Sequence, residues 1–209
     1  MARYADTLVE VLDELGIDQA TFVGNSMGGL LSIEAALRHP DRVTATMLVC
    51  SGGIPLTTLR HRFVLRPGAL ALNAALRHKR IRHVALHRPR VRQVIAARIV
   101  HRPHRVDARY LSEALDGIGA RAFGPVLRAA LRYDARPHAP RLNRPTLIVW
   151  GRHDLLIDYH DADLFEQLIP HSRKVVFEDT GHMAMLEQPE RFNELLAGFL
   201  DEHPAPLSA

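Results

Sequence analysis

Apolar residues near the start of the chain, Leu8, Val11, Leu12 and Leu15, recur three and four positions apart, with Glu10, Asp13 and Glu14 between them and Asp6 just before. That period predicts an amphipathic helix over residues 3–15, closed by Gly16, a residue free to take the left-handed conformation of a helix end. The pattern then shortens. Ala20-Thr21-Phe22-Val23-Gly24 is β-prone, the run from Leu30 to Arg38 is apolar around much of a helical circumference, and His39-Pro40 stops it. Val43 to Cys50 is an apolar run of strand length ending in Ser51-Gly52-Gly53. Strand, helix, strand at this spacing predicts a parallel crossover unit. Further strands are expected at 146–150 and 174–178, with helices at 159–168 and 189–202, the last opened by Pro189 at a first-turn position that suits proline. The residues from His203 on are expected to fray.

Residues 55–140 read differently. No strand pattern occurs there, and helical stretches at about 69–79, 90–100, 107–116 and 125–133 are punctuated by Pro67-Gly68, Pro89, Pro103, Gly117 and Gly124-Pro125. The expected fold is therefore α/β: a mostly parallel sheet of about four strands flanked by helices, residues 1–54 and 141–209, with a helical cap, residues 55–140, inserted between two strands. A chain of 209 residues is long enough for one such core.

Charge sharpens that division. Residues 55–137 hold 17 Arg and one Lys against Asp107, Glu113, Asp116 and Asp134, a formal +14, so the remainder carries −10 within a chain total of +4. All basic residues but Lys79 and Lys174 are Arg, which a GC-rich genome would also produce. Read functionally, the cap projects a positive field toward anionic substrates or an anionic membrane surface. Nucleic-acid binding is disfavoured, because no recognised motif is present and few aromatics interleave the arginines. Cys50, the one cysteine, excludes an intramolecular disulfide and a cysteine zinc cluster and reads as a packing residue. The acidic N-terminal segment does not resemble a signal peptide and no stretch is apolar enough to span a bilayer, so the expected location is cytoplasmic.

The chemistry centres on Gly24-Asn25-Ser26-Met27-Gly28-Gly29, between a predicted strand and a predicted helix. A serine on so sharp a turn is pushed out beyond the sheet, at a strain of about 1–3 kcal/mol. Gly24 and Gly28, lacking side chains, would let strand and helix close around the bend. The helix start aims its free N–H groups at the space beside Ser26, where an oxyanion would form. A serine needs a base, and the base an orienting acid. Asp154 follows the 146–150 strand and His182 the 174–178 strand, and parallel strand ends gather at one sheet edge. Asp158, Asp161 and Asp163 are rivals for the acid. His153 reads as solvated and Trp150 as core, while Met183 and Met185 read as an acyl-pocket lining or as packing for the last helix. His83 and His87 share a helical face, but no third ligand completes a zinc pattern.

Gly-Asn-Ser-Met-Gly-Gly, Gly-Arg-His-Asp (151–154) and Gly-His-Met (181–183) followed by Glu187-Gln188-Pro189-Glu190-Arg191-Phe192, in the order Ser, Asp, His, resemble the α/β-hydrolase superfamily. The resemblance runs from the first helix to the last. It implies that Ser26 is the nucleophile, Asp154 the orienting acid and His182 the general base. It also implies that Asn25, Met27 and Gly28 lie on the oxyanion and substrate-binding side, with the Met27 backbone N–H as one oxyanion donor. No cofactor and no metal are implied; the partner is a small-molecule acyl substrate. The motifs lean toward carboxylesterases and toward hydrolases that cleave carbon–carbon bonds in ring-fission keto acids, and Ser26 in place of aspartate argues against haloalkane dehalogenases and epoxide hydrolases. Such folds usually place several strands before the nucleophile, and one of their loops gives a second oxyanion donor. Only a helix precedes the nucleophile strand here. The expectations are an exposed 20–24 edge suited to homodimer formation and, as an alternative to an active enzyme, a truncated and catalytically incompetent module.

Overall fold

A computed structural model describes residues 1–55 and 66–204. Positions 56–65 of the expected cap and the tail from 205 lie outside the described residues. The chain order is α1 (Ala2–Glu14), β1 (Ala20–Asn25), α2 (Met27–Arg38), β2 (Val43–Val49), α3 (Arg66–Leu76), α4 (Lys79–His87), α5 (Pro89–Ala96), α6 (Ala108–Ile118), α7 (Phe123–Ala130), β3 (Thr146–Gly151), α8 (His160–Leu168), β4 (Ser172–Phe177), α9 (Ala184–Glu187) and α10 (Pro189–Glu202).

The four strands form one parallel sheet in the order β1-β2-β3-β4. Side chains alternate across it, as the two-residue period of a strand requires. Leu48, Ile148 and Trp150 face a layer built from Ile33 and Ala36 of α2 and Phe165 of α8. Met47, Val49, Leu147 and Val149 face the opposite way, onto Phe192 and Phe199 of α10. Helices thus cover both faces, which is why β2 and β3 read as unbroken apolar runs rather than alternating ones. Trp150 is fully buried, as expected. β1 lies at the sheet edge and leaves Val23 43% exposed.

Between β2 and β3 the described elements are helices α3–α7, in agreement with the pattern, but their bounds shift. Helix α3 ends at Leu76, and α4 occupies 79–87, a segment outside the helical stretches expected at 69–79 and 90–100 although His83 and His87 share a helical face there. The reason is visible in its composition: Lys79, Arg80, Arg82, His83 and His87 alternate with few apolar residues, and only Ala85 is buried. Its apolar positions Ile81, Val84 and Ala85 make one short patch among five basic residues, too brief for a period to show.

The register brings the strand ends into step. Asn25 stands beside Val49, Val49 beside Val149, and Gly151 beside Phe177. The segments that follow β1, β2, β3 and β4 therefore emerge along one edge, the edge where parallel sheets collect their functional groups.

Candidate active site

Ser26 sits between β1 and α2 with φ 55° and ψ −114°, a left-handed conformation that costs a non-glycine residue about 1–3 kcal/mol. Its backbone is held from two sides: its N–H donates to Val49 O at 2.9 Å, and its carbonyl accepts from Gly52 N at 2.8 Å. Close approach explains Gly24, where a Cβ would collide with the Gly28 backbone. The second tight position is Gly29, packed against Ser51, and not Gly28, whose Cβ direction is open. Gly28 therefore serves the bend through its backbone, as the surface on which Gly24 rests. Helix α2 begins at Met27, so the Met27 N–H belongs to the first-turn donors that have no intrahelical acceptor.

Asp154 and His182 meet directly. His182 Nδ1 lies 2.7 Å from Asp154 Oδ2, with both side chains out of solvent. The buried carboxylate is further satisfied by Leu156 N at 2.8 Å and Ile157 N at 3.1 Å, both donating to Oδ1. Hydrogen-bonding every lone pair is what makes a buried carboxylate tolerable. The rivals are engaged elsewhere. Asp163 pairs with Lys174, Asp158 contacts His160, and Asp161 is pushed up to about 7 by burial and then by the charges of Asp158 and Asp154.

Asn25 ties these parts together. Its amide donates to Val49 O at 3.1 Å and to His182 O at 3.0 Å, so the side chain is a strut from the elbow to the loop that carries His182. Both donors are occupied by backbone, so the Asn25 amide has none left to offer beside Ser26. No hydrogen bond joins Ser26 Oγ to a described residue.

Glu187, on the single turn α9, was legible only as a letter in a motif. Its carboxylate accepts from Gly181 N at 2.8 Å and from His101 N at 2.7 Å, with Arg102 N at 3.4 Å. Burial raises its pKa, opposed by those N–H groups. His182 N also donates to Ile99 O at 2.9 Å. The loop bearing His182 is therefore fastened to residues 99–102 of the helical segment. Cys50, also in the left-handed region, is buried beside Asp154; burial, then the Asp154 charge, drives its thiol pKa up, so it remains a protonated packing group.

A cavity of about 250 Å³ opens at Ser26. It is lined by Met27, Gly52, Gly53, Ile54, Leu156 and Ile157 and, from the helical segment, by Ala69, Phe123, Val126, Leu127, Ala130 and Leu131. Ser26 carries the one polar side chain among the described lining residues. Met183 and Met185 pack elsewhere, Met183 against Val100 and Leu111 and Met185 against the α10 layer.

Two described groups could offer three metal ligands, Cys50-Asp154-His182 and His101-His153-Asp179. The first is the acid–base pair with a protonated thiol. In the second, the rings of His101 and His153 stack at 4.1 Å and Asp179 is already paired with Arg102, so fixed cations take the place an ion would need. His153 is thus exposed but not merely solvated. His83 and His87 stack at 4.3 Å on α4 without a third ligand among the described residues. No helix of the described residues is long and apolar enough to cross a membrane.

A strained serine between strand and helix, with a buried Asp–His pair at neighbouring strand ends of one parallel sheet, defines a hydrolase architecture. Residues 1–189 match the family model of the alpha/beta hydrolase fold, and the chain belongs to that family. It is similar to 2-hydroxymuconate semialdehyde hydrolase of Pseudomonas putida, 31% identical over 219 residues that cover 98% of this chain and 70% of the relative. It is also similar to the uncharacterized protein Rv2715 of Mycobacterium tuberculosis, at 27% identity over 96% of this chain. Among solved structures it resembles a bacterial membrane phospholipase A, with a TM-score of 0.72, 25% identity and 95% of this chain covered. The chain spans 61% of the mycobacterial relative and 62% of the phospholipase.

Proposed function

We propose that this hydrolase cleaves neutral, apolar carboxylic esters through an acyl-enzyme on Ser26. His182 accepts the Ser26 proton on its second ring nitrogen as Oγ attacks the ester carbonyl. Asp154, held at Nδ1, fixes the tautomer and offsets the imidazolium charge. The tetrahedral oxyanion faces the first turn of α2, with the Met27 N–H as donor. Collapse expels the alcohol, protonated by His182. Water, deprotonated by the same imidazole, then attacks the acyl-enzyme and releases the carboxylic acid and Ser26.

The observation that carries the reading is the buried Asp154–His182 pair beside an elbow serine. The cavity supports the substrate class: a lining with no charged residue among those described suits an aliphatic or aryl acyl group. The relative from Pseudomonas putida favours a second reading, hydrolysis of a carbon–carbon bond in a ring-fission keto acid. Such a substrate is anionic, and its carboxylate would find no partner cation among the described lining residues, so the ester is placed first.

The test is hydrolysis of a short-chain aryl ester and of a vinylogous keto acid by the protein and by Ser26→Ala. Turnover of the ester, lost by about 10⁴-fold or more in Ser26→Ala, is expected. Preference for the keto acid would establish the second reading. A folded, monodisperse protein inactive on both would overturn the assignment of an enzyme and favour an incompetent module.

A further inference from the structure

The helical segment carries one surface that catalysis does not use. Between Arg77 and Arg98 the chain holds seven Arg and one Lys and no acid. Helices α4 and α5 occupy most of this stretch and bury only Ala85 and Ala96. Arg82 pairs with Asp116, and Arg92 donates to Leu86 O. Lys79, Arg80, Arg88, Arg90 and Arg98 meet no acid among the described residues. A shell of like charge without counter-charges repels itself, so it points to an anionic partner.

Charge is half of the pattern. The other half is aliphatic: Ile81 is 47% exposed, Val84 42%, Val91 38% and Val94 72%. Ile81 and Val84 stand three apart on α4, and Val91 and Val94 three apart on α5, so each pair shares a helical face. Cations flank both pairs. We propose that the α4–α5 surface docks this protein on an anionic lipid bilayer, with the arginines at the headgroups and the four aliphatic side chains in the boundary beneath them.

An anionic bilayer satisfies both halves at once. Basic side chains gain from the surface potential, long Arg stems can reach up from a shallow position, and the aliphatic groups leave water. Nucleic acid satisfies only the first. Its phosphates would take the arginines, but Ile81, Val84, Val91 and Val94 would stay in water, and α4 and α5 carry no Phe, Tyr or Trp on which a base could stack. At nine and eight residues, both helices lie on such a surface rather than cross it.

The experiment is co-sedimentation of the full chain with phosphatidylcholine vesicles, with and without phosphatidylglycerol, across a salt series, beside a gel shift with a DNA duplex. Binding is expected only to vesicles containing phosphatidylglycerol and should weaken with salt. Arg80→Gln and Arg90→Gln should each weaken it about fivefold. Val94→Ser, which leaves charge untouched, should weaken it about tenfold. Circular dichroism and ester hydrolysis in free solution should not change in these variants, because the positions are exposed and none of them lines the cavity at Ser26. Failure of folded protein to bind phosphatidylglycerol vesicles at low salt would overturn the proposal. So would vesicle binding indifferent to Val94→Ser, or DNA binding that exceeds vesicle binding and is equally indifferent. None of these outcomes depends on the ester reaction.

Discussion

Asp154 and Arg90 carry opposite charges in opposite surroundings. The Asp154 carboxylate is fully buried and spends its oxygens on His182 Nδ1 and two backbone N–H groups; Arg90 stands exposed on α5 with no acid beside it among the described residues. A charge inside the sheet's edge exists only because the fold has built partners around it, and such a group reports chemistry. An exposed charge such as Arg90 is solvated and needs no partner from the fold, so its removal tests the proposed docking rather than the chemistry. The core and the segment thus answer different questions, and substitutions can separate them.

The largest effect should come from Asp154→Asn. The amide can no longer stabilise the His182 imidazolium and favours the wrong tautomer, so kcat should fall about 10⁴-fold while thermal unfolding stays cooperative. A loss under tenfold would break the comparison at its root, and Asp161 would then be the acid to replace next.

Glu187 tests where the two regions meet. Glu187→Ala leaves the N–H groups of Gly181 and His101 without their acceptor, freeing the loop of His182 from the segment. The expected result is a kcat lowered 10- to 100-fold with KM little changed, since misplacing a catalytic group by an ångström can cost about 10²-fold. An equal rise in KM, or no effect, would mean that the segment does not position the base.

The sequence shows the core more clearly than the segment, for physical reasons. β2 and β3 are buried on both faces, so Val43–Val49 and Thr146–Gly151 appear as apolar runs within a residue of their ends. Ser26, Asp154 and His182 are legible because each follows a strand and the three motifs have a fixed order. What the motifs leave out is second-layer geometry: the Asn25 strut, the acceptor role of Glu187 and the tight fit of Gly29 rather than Gly28 depend on backbone groups that no side-chain pattern encodes. Helix α4 escapes notice because it is nine residues long and its apolar patch, Ile81, Val84 and Ala85, is too brief for a helical period to show. The pocket wall from Phe123 to Leu131 is also hidden, since a helix that lines a cavity and a helix that lines a core share one apolar stripe.

That wall gives the next test. If α7 selects the acyl group, kcat/KM across a series of straight-chain esters should rise about fourfold per added methylene until the cavity is full. Ala130→Leu, which narrows the cavity from the segment side, should bring the plateau to a shorter chain and leave acetyl turnover nearly unchanged. An unmoved plateau would place the acyl group elsewhere.

The smallest expected effect concerns Asp161, which shares the neighbourhood of Asp154 without sharing its partners. Burial and the charges of Asp158 and Asp154 raise its pKa to about 7, outweighing the opposing pull of His160 and Arg136. The unfolded value is about 4, so the folded chain holds this proton between about pH 4 and 7 while the unfolded chain releases it. Stability should therefore decline as pH rises through that window, with the full penalty above pH 7. Asp161→Asn removes the penalty: at about pH 8 it should stabilise the protein by roughly 1 kcal/mol, a figure reduced for solvent screening of a partly exposed group. At about pH 4 the gain should vanish. Denaturant midpoints at the two pH values provide the measurement. A gain equal at both would show that shape rather than charge is at issue, and a loss at about pH 8 would make Asp161 a second paired carboxylate like Asp154.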